Sequence, residues 1–421
     1  MQMIYNVFKN TYFFWVLIFL SGLISCKSQI KEKESGKVEK TIQKEQKEII
    51  VSANNTASYL SLLKGKNIAV VANQTSVIFK EDTEKTTGKR GFTHLVDSLI
   101  ANEISVKKVF SPEHGFRGKA DAGEIIADGK DIKTNLPLIS LYGKNKKPTQ
   151  EQLNNIDIVI FDIQDAGVRF YTYISTLHYV MEACAEAGIP LIVLDRPNPN
   201  GHYIDGPTLE IENKSFVGMH PVPVVYGMTI GEYAQMINGE KWLSNNVQCN
   251  LVIIPIQNYT HQTSYSLPIK PSPNLPNDKA INLYPSLCFF EGTNVSVGRG
   301  TDKQFQVYGS PFMAVEDTNY CFIPKSNEGA KYPKHDGIKC CGFDLSDEKP
   351  LNGIHLKYLI ESYSSTLKKE TFFNKFFTKL AGTNELQQQI EKGYTEEQIK
   401  QTWQKDLEGF KKLREKYLIY D

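Results

Sequence analysis

The segment Ser111-Pro-Glu-His-Gly-Phe-Arg-Gly118 crowds a carboxylate, an imidazole and a guanidinium into one short stretch of chain. Glu113 can exchange a proton, His114 can orient a neighbour or carry a proton itself, and Arg117 presents a fork of donors to an anion. Gly115 and Gly118 let the backbone turn tightly. The segment directly follows an apolar run, residues 106–110, that reads as a strand. Loops at strand ends concentrate function, and nothing in folding requires these three chemistries together. The segment is therefore read as facing a ligand.

The same theme recurs along the N-terminal half. Apolar runs at 67–72, 106–110, 156–163 and 190–194, with a weaker one at 251–256, are rich in Val and Ile and end in polar residues. Such continuous runs suit strands buried on both faces. Helical patterns lie between them, at 93–101, 173–187 (closed by Gly188) and 230–238 (followed by Gly239). This alternation predicts a parallel, doubly wound α/β sheet, in which ligands sit outside the carboxyl ends of the strands. Asn73, Glu113, Asp165, Arg169, Asp195 and Asn198 are then expected to line one crevice.

A chain of 421 residues with 41% apolar content can bury a large core, and its length suggests two domains. A net charge of +1 without a basic stripe gives no reason to expect nucleic acid. The seven cysteines lack metal-like spacing, so no metal is expected and most of the thiols are read as free and buried. The second half carries its own dense patch, in which glycines 292, 298 and 300 surround Glu291, Asn294 and Arg299. A phosphate loop is absent there, and G-x-G-x-x-G is absent after the first strand. Beyond about residue 350 the pattern is mainly helical, at 356–367, 372–380, 386–392 and 396–417, with Trp403, Phe410 and Leu413 on one buried stripe.

Several phrases together resemble the NamZ-type exo-β-N-acetylmuramidases of bacteria. They are SPEHGFRG, LPLISLYG (136–143), FDIQDAGVRFYTYISTL (161–177), VLDRPNPNG (193–201), YGMTIGE (226–232), PSPNLP and FFEGTNVSVGRGT. The resemblance runs from about residue 58 to the end of the chain. It implies a Rossmann-like, mostly parallel doubly wound domain at 53–265 and a smaller α+β domain at 266–421 that closes a cleft. It also implies removal of terminal β-linked N-acetylmuramic acid (MurNAc) from MurNAc-GlcNAc oligosaccharides of peptidoglycan, without a cofactor. Two departures stand out. Ala166 replaces an expected valine, and Val297 stands where an acidic residue is expected, which gives Glu291 more weight.

Glycoside cleavage needs a proton on the leaving oxygen and support for an oxocarbenium-like centre. Glu113 is read as the general acid, because the apolar Pro112 and Phe116 that flank it disfavour its charged form, with His114 as its orienting partner or its replacement. Asp165 and Glu291 compete for the second role, with Asp195 behind them; if the sugar's acetamido group attacks, Asp165 orients it. The lactyl carboxylate of MurNAc calls for a guanidinium: Arg117 first, then Arg169 or Arg299. Asn73, Tyr171, Asn198 and Asn294 complete the expected sugar contacts. Two rivals keep the same fold: a lipid-anchored protein that binds muropeptides without cutting them, and a nucleotide-sugar transferase, against which the missing phosphate loop argues.

The first 25 residues read as a signal peptide, with Lys9 ahead of an apolar run at 12–20. Leu23-Ile-Ser-Cys26 looks like a bacterial lipobox, which implies cleavage before Cys26 and lipidation of its thiol. Residues 26–52, rich in Lys, Glu and Gln, read as a flexible tether. The expected location is the bacterial cell envelope, anchored to a membrane and facing the periplasm or the exterior. Cys26→Ala is expected to move the protein into the aqueous phase of a detergent partition while the parent follows the detergent; identical partitioning contradicts the lipobox.

Overall fold

The computed structural model describes residues 47–80, 91–117, 128–314, 316 and 318–421. Cys26, the leader, most of the tether and Gly118 lie outside them. Twelve strands are present among the described residues: β1 Asn67–Ala72, β2 Val77–Phe79, β3 Phe92–His94, β4 Ser105–Ser111, β5 Gly129–Lys130, β6 Pro137–Ser140, β7 Ile158–Asp162, β8 Leu191–Leu194, β9 Leu251–Ile254, β10 Val307–Ser310, β11 Tyr320–Phe322 and β12 Cys340–Asp344. Seven of them form one sheet in the order β5-β6-β4-β1-β7-β8-β9. All its pairings are parallel except that of β5 with β6. The six parallel strands, taken in chain order, run 3-2-1-4-5-6 across the sheet. That is the doubly wound order, with its reversal between β1 and β7.

Both faces of the sheet are covered, as the continuous apolar runs predict. Along β1, Ile68, Val70 and Ala72 enter one hydrophobic cluster and Ala69 and Val71 the other. The helix Tyr173–Ala187 ends at Gly188, whose φ of 68° suits glycine. The helix Ile230–Gly239 starts with a capping box between Thr229 and Glu232.

The second half contributes a three-stranded antiparallel sheet, β10-β12-β11, and a run of short helices. Its Phe289, Phe377, Leu407 and Phe410 share one apolar cluster with Val168, Ile174 and Tyr226 of the first half, and residues Lys47–Asp421 form a single contact unit. The tether boundary at 52 shifts earlier: Ile50 exchanges backbone hydrogen bonds with Gln257 (3.1 and 3.0 Å), and Val51 is buried. The expected helix over 396–417 is broken at Trp403 into Glu396–Thr402 and Gln404–Arg414. Cys321 and Cys341, register partners on β11 and β12, form a disulfide. Cys184, Cys249, Cys288 and Cys340 are free and buried, so most of the thiols are free as expected.

Arg169 ties the two halves together. Its side chain is fully buried. Nη1 donates to the carbonyls of Pro207 and Val222, both at 2.7 Å, and Nη2 to those of Leu380 (3.0 Å) and Ala381 (2.7 Å). Burial pulls its pKa down, and among the described residues no carboxylate pairs with it. Gly382 is glycine for the same reason, since a Cβ there would stand 2.6 Å from Nη2. Each buried polar group left unsatisfied costs about 1–3 kcal/mol. Arg169→Met, which orphans four carbonyls, is therefore expected to lose at least about 3 kcal/mol in urea denaturation, or to fail to fold. An unchanged midpoint contradicts the assignment.

Candidate functional site

A cleft of about 650 Å³ opens at the carboxyl ends of β4, β6 and β7 and is walled on its far side by the second half. Glu113 enters it from the turn after β4. Gly115 N–H closes that turn on the Pro112 carbonyl (3.0 Å), and His114 and Gly115 both take left-handed φ values, 71° and 75°. The Thr172 hydroxyl donates to Glu113 Oε2 at 2.7 Å. The Tyr142 hydroxyl, just past β6, also bonds to the Glu113 side chain; burial first, and then the Glu113 charge, push its pKa up. Three strand ends thus converge on one carboxyl group.

The opposite wall comes from the 3₁₀ turn Cys288–Gly292 and the glycine-bounded loop after it. Glu291 Oε1 pairs with Arg299 Nη2 at 2.6 Å, and the Cys288 thiol donates to Glu291 Oε2 at 3.7 Å. Burial opposes the charge of Arg299, but Glu291 outweighs it and the guanidinium is held above its usual range. Lys334 also lines this wall, and burial lowers its pKa to about 8. Its ammonium donates to the carbonyls of Phe290 (2.9 Å), Thr293 and Val295 (3.0 Å), so its three protons serve the loop. The floor is aromatic. Tyr284 meets Phe170, Tyr171 and Phe305 edge to face, with ring centres 5.4, 6.0 and 4.9 Å apart. The Tyr171 hydroxyl is committed to the Pro271 carbonyl at 2.8 Å, which leaves its ring to the cleft.

Of the residues expected from the sequence, Glu113, His114, Tyr171, Glu291 and Arg299 line this cleft. The single crevice expected for the strand-end polar residues is corrected. Arg117 forms a bidentate pair with Asp131, at 2.9 and 2.7 Å, and covers the Phe116 ring; it does not line the cleft. Phe116 turns away as well, edge-on to His94. Arg169 holds backbone carbonyls, as described. Asn73 is fully buried; its Oδ1 accepts from Thr75, and its Nδ2 donates to the Tyr173 hydroxyl at 2.9 Å. Asp165 lies beneath the floor and accepts from Gly167 N–H (2.8 Å) and the Tyr226 hydroxyl. Burial raises its pKa to about 6 against those bonds.

Asp195 caps the helix Ile230–Gly239, accepting from Gly231 N–H (2.8 Å) and the hydroxyls of Thr229 (2.7 Å) and Tyr420 (2.8 Å). Burial pushes it up to about 7. Asn198 donates to the Met228 carbonyl at 2.8 Å and borders a separate cavity of about 500 Å³ with His202 and His261. Asn294 supports the wall through its carbonyl, which accepts from Ser310 Oγ (3.0 Å) and pairs with His335 Nε2 (2.7 Å). Of the three carboxylates weighed for the second role, only Glu291 faces the cleft, and Val297 packs there as a buried apolar residue. Tyr142, Thr172 and Lys334 were not singled out as site residues. Tyr142 and Thr172 sit inside phrases already noted, whereas Lys334 lies in an irregular loop that carries no local signal.

A family model described as Exo-beta-N-acetylmuramidase NamZ, N-terminal, matches residues 68–279, and its C-terminal counterpart matches residues 282–420. Peptidoglycan beta-N-acetylmuramidase NamZ of Bacillus subtilis (strain 168) is 40% identical over 382 residues, covering 86% of this chain and 89% of that protein. Two DUF1343 family proteins from Bacteroides fragilis NCTC 9343 have similar crystal structures. One has a TM-score of 0.79 at 45% identity and the other 0.74 at 27%, each covering 89% of this chain and 99% of its own.

Proposed function

The chain belongs to the NamZ family of exo-β-N-acetylmuramidases, and from that membership we propose that it hydrolyses the terminal β-linked MurNAc from non-reducing ends of peptidoglycan fragments. The observation that carries a catalytic reading of the cleft is Glu113, which three strand ends orient toward a wall that holds a second, ion-paired carboxylate.

Glu113 is the general acid. Its Oε2 is fixed by Thr172 before substrate arrives, so the carboxyl group pays little orientational entropy in delivering a proton to the leaving oxygen. Glu291 pairs with Arg299 and faces the positive charge that develops at the anomeric carbon. Arg299 takes the lactyl carboxylate. It is the guanidinium that lines the cleft, and Glu291 engages its Nη2. Tyr171 supplies a ring to the sugar.

The natural substrates in this reading are MurNAc-GlcNAc oligosaccharides, and the protein works in the cell envelope, held to a membrane by a lipid on Cys26. The lipobox and tether support this, as does the Cys321–Cys341 disulfide, a bond favoured in oxidising compartments.

Glu113→Gln is expected to keep the fold and lose about 10²–10⁴-fold in turnover on a MurNAc-GlcNAc disaccharide. The loss shrinks on a nitrophenyl glycoside, whose leaving group needs less protonation. Equal losses on both substrates would remove Glu113 from the acid role and turn attention to His114.

A further inference from the structure

The residues that line the cleft differ in burial. Phe170, Tyr171, Leu275, Ser296 and Val297 are buried and are taken as its inner part; Tyr142, Lys146 and Phe216 are half-buried and Phe376 is 40% exposed, and these are taken as its outer part, while Glu291 and Arg299 on the opposite wall are half-buried as well. Glu113 stands at the step between the two parts, bonded to the buried Thr172 on one side and the half-buried Tyr142 on the other. An acid that protonates the glycosidic oxygen must lie between the sugar it releases and the sugar that leaves. An enzyme that removes one terminal residue encloses that residue and keeps the rest of the chain toward solvent. The burial gradient thus assigns the inner part to the terminal sugar and the outer part to the leaving one.

The outer part has chemistry suited to a pyranose. The Phe376 ring lines the cleft without a ring partner among the described residues, and the N-terminus of its helix is pinned by a hydrogen bond from Phe376 N–H to Asn374 Oδ1 (2.8 Å). A β-linked hexosamine with equatorial substituents presents a face of C–H groups, which packs on such a ring and removes both from water. Lys146 and Phe216 line the same cleft; Lys146 Nζ rests 4.5 Å from the centre of the Phe216 ring and has no carboxylate within ion-pair distance among the described residues. Its three donors are available to hydroxyl and amide oxygens.

We propose that Phe376 and the Lys146–Phe216 pair form the subsite of the leaving sugar, a neutral hexosamine whose apolar face lies on Phe376 and whose polar edge meets Lys146. This rests on the glycosidase reading above and adds the side of the cleft from which the chain departs.

The test compares kcat/KM for the MurNAc-GlcNAc disaccharide with that for methyl β-MurNAc, whose leaving group also needs a proton but offers no ring. The parent protein is expected to prefer the disaccharide. Phe376→Ala should cut that preference at least about tenfold through KM, Phe376→Trp should retain it, and Lys146→Met should lower it to a lesser degree. Because Phe376 is exposed, its loss leaves the core intact, and thermal denaturation of each variant checks this. A parent protein indifferent to the second sugar, or a preference unmoved in both Phe376→Ala and Lys146→Met, overturns the subsite while leaving the glycosidase reading standing. A parent protein that cuts neither glycoside overturns both.

Discussion

A guanidinium without a carboxylate holds this molecule together. Arg169 is fully buried, and its two Nη atoms donate to four backbone carbonyls, two from the loops beyond β8 and two from the end of a C-terminal helix, while Nε has no hydrogen-bond partner among the described residues. A buried charge is costly unless acceptors surround it, so the loops that provide those carbonyls are locked to one another. The next three residues, Phe170, Tyr171 and Thr172, supply two rings of the cleft floor and the hydroxyl that orients Glu113. The site inherits its rigidity from a residue that does not line the cleft.

A second brace lies at the helix Ile230–Gly239. Asp195 and Glu232 sit at the N-terminus of the helix Ile230–Gly239, where backbone N–H groups favour negative charge. They also gather the end of the chain: Glu232 accepts from the N–H groups of Ile419 (2.8 Å) and Tyr420 (3.2 Å), and Asp195 from the Tyr420 hydroxyl. Gly231 has no room for a side chain, because a Cβ there would stand 2.7 Å from the Asp195 carboxylate. The phrases VLDRPNPNG and YGMTIGE therefore encode architecture more than chemistry.

That distinction marks how far the sequence could be read. The parallel strands were legible because a strand buried on both faces needs an unbroken run of Val and Ile, as in β1 and β7. β6 was missed as a strand because Pro137 opens it and only Ser140 in it is fully buried. The break at Trp403 was missed because the apolar stripe continues through it. In the cleft, Glu113, Glu291 and Arg299 were legible from their crowded loops. Arg169 and Asp195 looked equally chemical, since a charged group at a strand end reads the same in sequence whether it answers to a ligand or to backbone amides and carbonyls. Lys334 and the Cys321–Cys341 pair become meaningful only when distant segments meet, through the loop carbonyls and through the register of β11 on β12.

The central claim is that the cleft selects a sugar by its lactyl carboxylate, with Arg299 as the reader. A charge-assisted bidentate contact contributes about 1.5–3 kcal/mol, or roughly 10–150-fold. The direct measurement is the ratio of kcat/KM for nitrophenyl β-MurNAc over nitrophenyl β-N-acetylglucosaminide, in the parent protein and in Arg299→Lys. The account predicts a parent ratio above about tenfold that collapses in the variant through KM on the MurNAc substrate, because an ammonium cannot reproduce the fork. Comparable cleavage of the two glycosides by the parent, or a ratio that Arg299→Lys leaves in place, would contradict it.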